Sequence, residues 1–141
     1  MGPLKQPDLP DGALVLVDSA PIIYVLEHHR KLAARFRPLF ERQAAGAIRF
    51  GVATITIAEV LTGPLKAGEE ALAKRYRAVM ESWQVTSLTV DIAESAARFR
   101  ASLGLRMADA IQVASAVAIN ADALVTHDRD FSRVKTLTVL D

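Results

Sequence analysis

One segment, residues 105–131, constrains the fold more than any other part of the chain. Its sequence, LRMADAIQVASAVAINADALVTHDRDF, predicts a helix that is apolar on nearly every side. Ile111, Ala114 and Val117 recur at helical spacing, and small or apolar residues fill most of the positions between them. Such a helix has to be buried. A short apolar strand follows it, so the segment predicts an internal helix–strand unit.

The rest of the chain alternates short apolar runs with longer amphipathic segments. The run ALVLV at residues 13–17 is continuous, which is typical of a strand buried on both faces of a parallel sheet. Strands that alternate with helices predict an α/β domain with a largely parallel sheet and helices on both faces. The predicted strands are residues 13–17, 49–55, 85–88, 123–125 and 136–140.

The predicted helices have recognisable starts and breaks. Pro38 is expected to kink or split the second helix, and Gly63 and Pro64 to interrupt the short third one. A capping-box-like start at Asp91 and Glu94 is predicted for the fifth. The predicted helices are residues 21–27, 31–45, a short one from Thr56, 69–83, 91–102 and one that starts at Asp109.

Length and composition fit a single domain. The chain has 141 residues, of which 51% are hydrophobic, and this is enough for one core. Residues 1–12 are rich in proline and lack an apolar run, so we expect a flexible tail rather than a signal peptide, followed by one domain over residues 13–141. No apolar run approaches the roughly 20 residues of a membrane-spanning helix, so we expect no membrane association.

The composition also excludes several chemistries. The chain has no cysteine, which rules out disulfides, thiolate catalysis and zinc–thiolate sites. The net charge of +1 is uninformative by itself. The basic residues are mostly arginine, a residue suited to phosphate binding but also common on ordinary surfaces. The sequence contains neither a glycine-rich phosphate loop nor a serine nucleophile elbow.

Acidic residues follow the predicted strands. Asp18 comes directly after the first strand, and Asp128 and Asp130 follow the fourth. Glu59 lies a few residues beyond the second strand, and Asp109 starts the helix that leads into the fourth. Ligands of open parallel sheets bind beyond the carboxyl ends of the strands. We therefore expect these acids to share one anionic pocket.

Each acid also has a purely structural interpretation. Glu59 completes a candidate capping box, and Asp109 is a candidate N-cap with Gln112 three residues later. Asp18 could cap the first helix, and Asp128 could serve a turn. Their convergence on one edge of the sheet is what favours a shared site, and a carboxylate can both cap a helix and bind a ligand.

A cluster of carboxylates favours one kind of chemistry. Carboxylates within a few ångströms of one another repel and raise each other's pKa, and a divalent cation relieves this repulsion. Ligand sets made only of oxygen favour Mg²⁺ or Mn²⁺ over zinc. Such ions activate water and stabilise the oxyanions of phosphoryl displacement. The cluster therefore predicts phosphodiester hydrolysis.

Residues beside the acids are candidates for supporting roles. Ser19 and Thr126 could orient a water or a carboxylate through their hydroxyls, or simply cap. Arg106 and Arg129 are the arginines nearest to the acids in sequence and are candidates for holding an RNA backbone. His127 is expected to point away from the site.

With these residues in hand, the chain resembles the PIN-domain family, and most closely the VapC-type toxins of bacterial toxin–antitoxin pairs. The resemblance rests on three motifs in their order and spacing. These are LVDSAPIIYVLE with Asp18, TITIAEVLTGP with Glu59, and the segment at residues 105–131 with Asp109 and Asp128.

The resemblance implies a three-layer α/β/α fold with a five-stranded parallel sheet in the order 3-2-1-4-5. It also implies a cytoplasmic Mg²⁺- or Mn²⁺-dependent endoribonuclease that acts on RNA, forms a homodimer and is covered by a cognate antitoxin. By match of motif, Asp18, Glu59, Asp109 and Asp128 would be the catalytic, metal-binding acids, and Asp130 an outer-shell acid.

Two other hypotheses remain open at this point. One is a catalytically inactive PIN fold that binds RNA or protein, although this chain keeps all four acids of the motif. The other is a phospho-acceptor signalling domain, which carries its acceptor aspartate at the end of the third strand. The predicted third strand runs instead into Ser87 and Leu88.

Overall fold

The computed structural model describes residues 9–141, apart from the side chains of Arg129 and Asp130. Strands and helices alternate from the first element to the last strand, as the apolar pattern predicts. The elements are β1 (Leu14–Val17), α1 (Ser19–Leu26), α2 (Leu32–Ala44), β2 (Arg49–Ala53), α3 (Thr54–Lys66), α4 (Glu70–Glu81), β3 (Gln84–Thr86), α5 (Val90–Leu103), α6 (Met107–Ala118), β4 (Ala123–Val125), a 3₁₀ turn (Arg129–Arg133) and β5 (Thr138–Leu140).

The five strands form one parallel sheet in the order β3-β2-β1-β4-β5. The predicted fold class and strand order are confirmed. β1 pairs with β2 on one side and with β4 on the other, with Val15 opposite Ala123 and Val17 opposite Val125. The connection changes direction between β1 and β4, so a crevice opens beyond their carboxyl ends.

Two hydrophobic clusters cover the two faces of this sheet. Val15 and Val17 of β1 pack into the cluster that contains the buried residues of α1, α2, α3 and α4. Leu16, between them, points to the opposite face and packs with α5, α6 and the 3₁₀ turn. This alternation follows from the two-residue period of a strand. The result is the predicted three-layer α/β/α arrangement.

Helix α6 is the most deeply buried helix of the described chain, as its sequence predicts. Eight consecutive residues, from Asp109 to Ala116, are buried. The helix starts at Met107, with Arg106 at the N-cap, so Asp109 lies in the first turn and is not the cap. The capping interpretation of Asp109 is therefore wrong.

The region between β2 and α3 differs most from the prediction. The strand ends at Ala53 and the helix begins at Thr54, so Thr56 is a buried helical residue and does not open a capping box with Glu59. The helix also continues through Gly63 and Pro64. A proline inside a helix costs about 3 kcal/mol or more. Here Pro64 is buried, on the same helix as the buried Val60, and the helix continues through it.

Other boundaries shift by a few residues. Helix α1 starts at Ser19 and not at residue 21, and Asp18 is its N-cap. Helix α5 starts at Val90 because Thr89, and not Asp91, supplies the capping oxygen, which accepts a hydrogen bond from the Ile92 N–H at 3.2 Å. Helix α2 is continuous through Pro38. Strands β3 and β5 have three residues each and are shorter than predicted.

The predicted tail is only partly described. Leu9 packs against the first cluster, and the Gly12 N–H donates to the Ala47 carbonyl at 2.7 Å, so residues 9–12 contact the domain. Residues 1–8 lie outside the described residues, and their flexibility remains a prediction. No helix in the described part of the chain has the length and apolar character to cross a membrane.

Candidate active site

A pocket of about 330 Å³ opens beyond the carboxyl ends of β1 and β4. It brings together most of the residues that the sequence singled out. Thr126 is fully buried immediately behind this pocket. The side chains of Asp130 and Arg129, two further candidates, are outside the described residues. The pocket is lined by Asp18, Ser19, Ala20, Tyr24, Glu59, Arg106, Ala108, Asp109, Gln112, His127 and Asp128.

Asp18 is held in place by hydrogen bonds from the start of α1 and from the residue that follows β4. It follows the last residue of β1 with an extended backbone, and its Oδ1 accepts the backbone N–H of Ser19 at 2.7 Å. Its Oδ2 accepts the hydroxyl of Thr126 at 2.9 Å. Asp18 therefore caps α1, as one interpretation of the sequence predicted, while its carboxylate still lines the pocket.

Thr126 connects two of the acids. It follows β4 and is fully buried. Its hydroxyl donates to Asp18 and accepts the backbone N–H of Asp128 at 3.1 Å. One hydroxyl thus orients a carboxylate on the neighbouring strand and the backbone of the turn that carries the next acid. This contact fits the predicted supporting role of Thr126.

Gln112 is a site residue that the sequence analysis did not identify as such. It lies on α6, is 1% exposed, and donates from Nε2 to Asp18 Oδ1 at 3.2 Å and to the Thr56 hydroxyl. Its position three residues after Asp109, on a helix that is otherwise apolar or small along its buried length, is the signal that could have revealed it. Its Oε1 has no hydrogen-bond partner among the described residues.

Arg106 connects the two acids on the far side of the pocket. Its guanidinium lies 2.8 Å from Asp128 Oδ2 and 3.4 Å from Asp109 Oδ2. The arginine side chain is 73% exposed, whereas that of Asp109 is 12% exposed and that of Asp128 is 29% exposed. Both acids raise the pKa of Arg106, Asp109 most strongly. The exposed guanidinium of Arg106 therefore balances the negative charge of two carboxylates that are largely buried.

Burial and mutual repulsion perturb the acids. Burial raises the pKa of Asp18, and the charge of Asp128 raises it further, against the lowering effect of the hydrogen bonds from Ser19 and Thr126. Burial also raises the pKa of Asp109, again with a contribution from Asp128, and Arg106 opposes this shift. Clusters of this kind with perturbed carboxyls are typical of functional sites.

Glu59 completes the group of four acids. It lies on the second turn of α3 and is more exposed than the other three. Burial raises its pKa, followed by the charges of Asp18 and Asp109, while the hydroxyl of Ser19 lowers it. Glu59 lines the same pocket as the three aspartates. The Ser19 hydroxyl lies 3.5 Å from Asp18 Oδ1 and lowers the pKa of Glu59, and both effects fit its predicted supporting role.

His127 lies in the pocket wall, and the expectation that it points away is wrong. Its Nδ1 lies 3.1 Å from the hydroxyl of Tyr24, and the two rings meet edge to face with centroids 5.4 Å apart. Phe36 packs against both rings. The aromatic cluster draws the imidazole towards α1, because ring contacts of this geometry are favourable.

The donor set has the chemistry of a hard-cation site. Asp18, Glu59, Asp109 and Asp128 offer only oxygen ligands, and the pKa of three of them is raised, mainly by burial and further by the charge of neighbouring carboxylates. Within the described part of the chain, no three acidic or histidine side chains lie close enough together to hold an ion as they stand. Arg106 bridges two of them instead. The oxygen donors fit a divalent cation in their chemistry, and Arg106 is paired with two of them, Asp109 and Asp128.

The chain belongs to the PIN-domain family. The family model for the PIN domain matches residues 15–137, a span that covers nearly the whole described chain and contains the positions of all four acids. No curated protein matches the sequence significantly. The family assignment confirms the resemblance that the three sequence motifs suggested.

Solved structures share the fold. A toxin–antitoxin complex from Klebsiella pneumoniae aligns with a TM-score of 0.68 and 24% identity, covering 88% of this chain and 95% of that one. VapBC2 from Rickettsia felis, bound to a promoter DNA fragment, aligns at 0.71 and 18%, covering 91% and 99%. VapC20 from Mycobacterium tuberculosis, a toxin that cleaves the sarcin–ricin loop, aligns at 0.72 and 16%, covering 90% and 99%. At these identities the alignments establish a common fold.

Proposed function

We propose that this PIN-domain protein is a divalent-cation-dependent endoribonuclease that hydrolyses RNA phosphodiester bonds. The observation that carries the proposal is the convergence of Asp18, Glu59, Asp109 and Asp128 on one pocket at the carboxyl edge of the sheet. Four acids from four separate segments meet there, and only one of them, Asp18, caps a helix. Capping therefore does not account for the cluster.

The four acids would hold Mg²⁺ or Mn²⁺. Bound there, the cation would supply an activated water and stabilise the charge that develops on the phosphate oxygens. Asp18 is the acid best prepared for this task, because Ser19 and Thr126 fix its carboxylate. Glu59, which is more exposed, has the freedom to adjust to the ligand.

Arginines at the rim would bind the RNA backbone. The guanidinium of Arg106 is exposed and lies at the pocket mouth, where it can exchange its carboxylate partners for a phosphate. Arg129, whose side chain is outside the described residues, is proposed for the same role from its position after Asp128 in the sequence. Asp130 remains a proposed outer-shell acid on the same ground.

We further propose that the protein is the toxin of a toxin–antitoxin pair. Several similar structures are toxin–antitoxin complexes, and the alignments cover nearly the full length of both chains. An antitoxin that covers the acidic pocket, a homodimeric assembly and a cytoplasmic location belong to this proposal. Flexibility of residues 1–8 is a separate expectation from composition.

A PIN domain that binds RNA or protein without cutting is the alternative. The ion pairs of Arg106 with Asp109 and Asp128 favour it, since they compensate the acids without a metal. The two functions differ in their dependence on cations. Cleavage requires a divalent ion, whereas binding by a non-cutting module does not.

The decisive experiment is incubation of a total bacterial RNA pool with the purified protein, free of any antitoxin. The reaction is run with Mn²⁺ or Mg²⁺, with chelator, and with Asp109→Asn, and new 5′ ends are mapped by sequencing. We expect discrete cuts that require both the ion and Asp109. A folded protein that makes no cuts, or cuts equally in chelator, would exclude the proposed activity.

A further inference from the structure

The two oxygens of the Asp18 carboxylate have unequal hydrogen bonding. Oδ1 accepts the Ser19 N–H at 2.7 Å and Gln112 Nε2 at 3.2 Å, and the Ser19 hydroxyl lies 3.5 Å away. Oδ2 accepts one hydrogen bond, from Thr126. A carboxylate oxygen has about two lone-pair sites. Oδ1 is therefore saturated by protein donors, and Oδ2 keeps a site for a ligand.

Gln112 is held in the orientation that blocks Oδ1. Its amide nitrogen lies between Asp18 and Thr56, which accept its two N–H groups. Reversing the amide would set its oxygen against the carboxylate, and two acceptors facing one another repel. The side chain is almost completely buried on α6, and its two N–H groups are both engaged there.

Core packing does not explain a glutamine at this position. The neighbouring residues Ile111 and Val113 are apolar and buried, as the helix requires. A buried amide whose oxygen has no partner among the described residues lowers stability relative to an apolar residue of the same size. The hydrogen bond that the amide donates to Asp18 is the interaction that an apolar residue could not make.

We propose that Gln112 is a positioning residue that restricts Asp18 to a single-oxygen contact with the bound cation, through Oδ2. The inference rests on the cation binding of the proposed function and adds a determinant of cation choice. Mg²⁺ and Mn²⁺ sites accept one oxygen per carboxylate in octahedral geometry. Ca²⁺ is larger, takes more ligands and often binds a carboxylate through both oxygens. Gln112 thus disfavours Ca²⁺ at this site.

The test compares the affinities of the purified protein for Mn²⁺ and Ca²⁺. Mn²⁺ binding is read from the electron paramagnetic resonance signal of the free ion, and Ca²⁺ binding from its competition with Mn²⁺. Gln112→Met keeps the volume but removes the donor, which frees Oδ1. We expect the preference for Mn²⁺ over Ca²⁺ to fall by about tenfold, the lower end of the range for residues that support metal ligands.

Two controls separate this effect from a change in stability. Ser115 is also buried on α6, and its hydroxyl has no partner among the described residues, so Ser115→Ala should leave the preference unchanged. Thr56→Val removes the other partner of the amide but leaves the donor to Asp18, so its effect should be smaller than that of Gln112→Met. If Gln112→Met does not fold, Gln112→Asn, whose shorter side chain cannot reach Oδ1, is measured by the same criterion.

The outcomes distinguish this inference from the proposed function. A wild-type protein that binds Mn²⁺, together with a folded Gln112 variant of unchanged preference, would overturn the role of Gln112 and leave the nuclease proposal intact. A wild-type protein that binds neither ion would overturn both. A reduced preference in the variant, with Ser115→Ala like wild type, would support the role, whatever the RNA target.

Discussion

The two sides of the acidic pocket compensate their charges in different ways. On one side, Asp18 is fixed by buried neutral donors, namely a backbone N–H, the hydroxyl of Thr126 and the amide of Gln112. On the other side, Asp109 and Asp128 share one exposed arginine. Neutral donors hold a carboxylate in place without cancelling its charge, whereas an arginine cancels the charge and competes with any other cation.

This difference implies that one carboxylate of the site is held in a fixed position while the other two can change their partner. The Asp18 side is built from residues at the ends of the paired strands β1 and β4 and from the buried helix α6. The Arg106 side depends on a long side chain in solvent, and ion pairs of this kind contribute little. We call Asp18 with its neutral donors the fixed side, and Arg106 with Asp109 and Asp128 the exchangeable side. The fixed side would position a ligand. The exchangeable side would release Arg106 from its carboxylates when the ligand binds.

The largest expected effect comes from breaking the fixed side at Asp18 itself. Asp18→Asn should lower RNA cleavage on the order of 10³-fold, since a metal contributes several kcal/mol and each 1.36 kcal/mol is a factor of ten. The matched control is Asp122→Asn. Asp122 is bonded to the Leu14 N–H at the opposite end of the same strand pair, so its variant should cleave normally. Full activity of a folded Asp18→Asn protein would contradict the assignment.

The next effect comes from the hydroxyl that connects the two sides. Thr126→Val removes the donor to Asp18 and the acceptor for the Asp128 N–H at a buried position. We expect a loss of about 1–3 kcal/mol in the free energy of unfolding, because Asp18 loses a buried donor and the part-buried Asp128 N–H loses this acceptor. Urea unfolding measures this loss. Thr62→Val, which alters an exposed hydroxyl bonded to the Ala58 carbonyl, should change stability by less than about 0.5 kcal/mol.

Thr126→Val should also lower cleavage by about 10–100-fold, the usual range for residues that orient a metal ligand. Normal stability together with normal cleavage would show that the hydroxyl supports neither acid. Normal stability with reduced cleavage would assign it a role in orienting Asp18 alone.

The positions of the acids could be predicted from the sequence more readily than the hydrogen bonds that hold them. Asp18 and Asp128 follow short apolar strands, and the rule that ligands bind at the carboxyl edge of a parallel sheet places them together. Thr126 was placed beside them by its adjacency to Asp128 in the sequence. These inferences need only local patterns and a common strand direction, and the structure supports the resulting arrangement.

The remaining contacts depend on long-range packing that no local pattern contains. Gln112 meets Asp18 across 94 residues of sequence, and His127 meets Tyr24 across 103. Glu59 was placed correctly near the site, whereas the alternative capping interpretation was wrong, because Thr56 is buried against Gln112 and does not cap the helix. Side-chain propensities describe what a residue can do near its own backbone, and here tertiary contacts override them.

The exchangeable side is tested by removing its arginine. Arg106→Gln should strengthen Mn²⁺ binding by about two- to fivefold, a small effect because the pair is exposed. The same variant should weaken RNA binding, and its salt dependence should be shallower by about 0.7 in log–log slope, the value for one lost single-strand phosphate contact. Arg98→Gln, in an exposed helical ion pair with Glu94, is the control. Unchanged affinities for both ligands would remove Arg106 from the site.

The smallest expected effect is on stability and concerns Glu59, whose carboxylate is repelled by Asp18 on one side of the pocket and by Asp109 on the other. Its pKa is raised from 4.5, so the folded protein retains this proton to a higher pH than the unfolded chain does. Ionisation of Glu59 therefore destabilises the fold increasingly as the pH rises through the raised pKa, and the penalty is constant above it.

Without divalent cations, Glu59→Gln should be more stable than wild type near neutral pH. The expected gain is only about 0.5 kcal/mol, because solvent screens this exposed group. Urea unfolding should show the difference vanishing near about pH 4, where both proteins are neutral at this position. A gain that persists in acid would instead arise from packing, and the two sides of the pocket would not be coupled through Glu59.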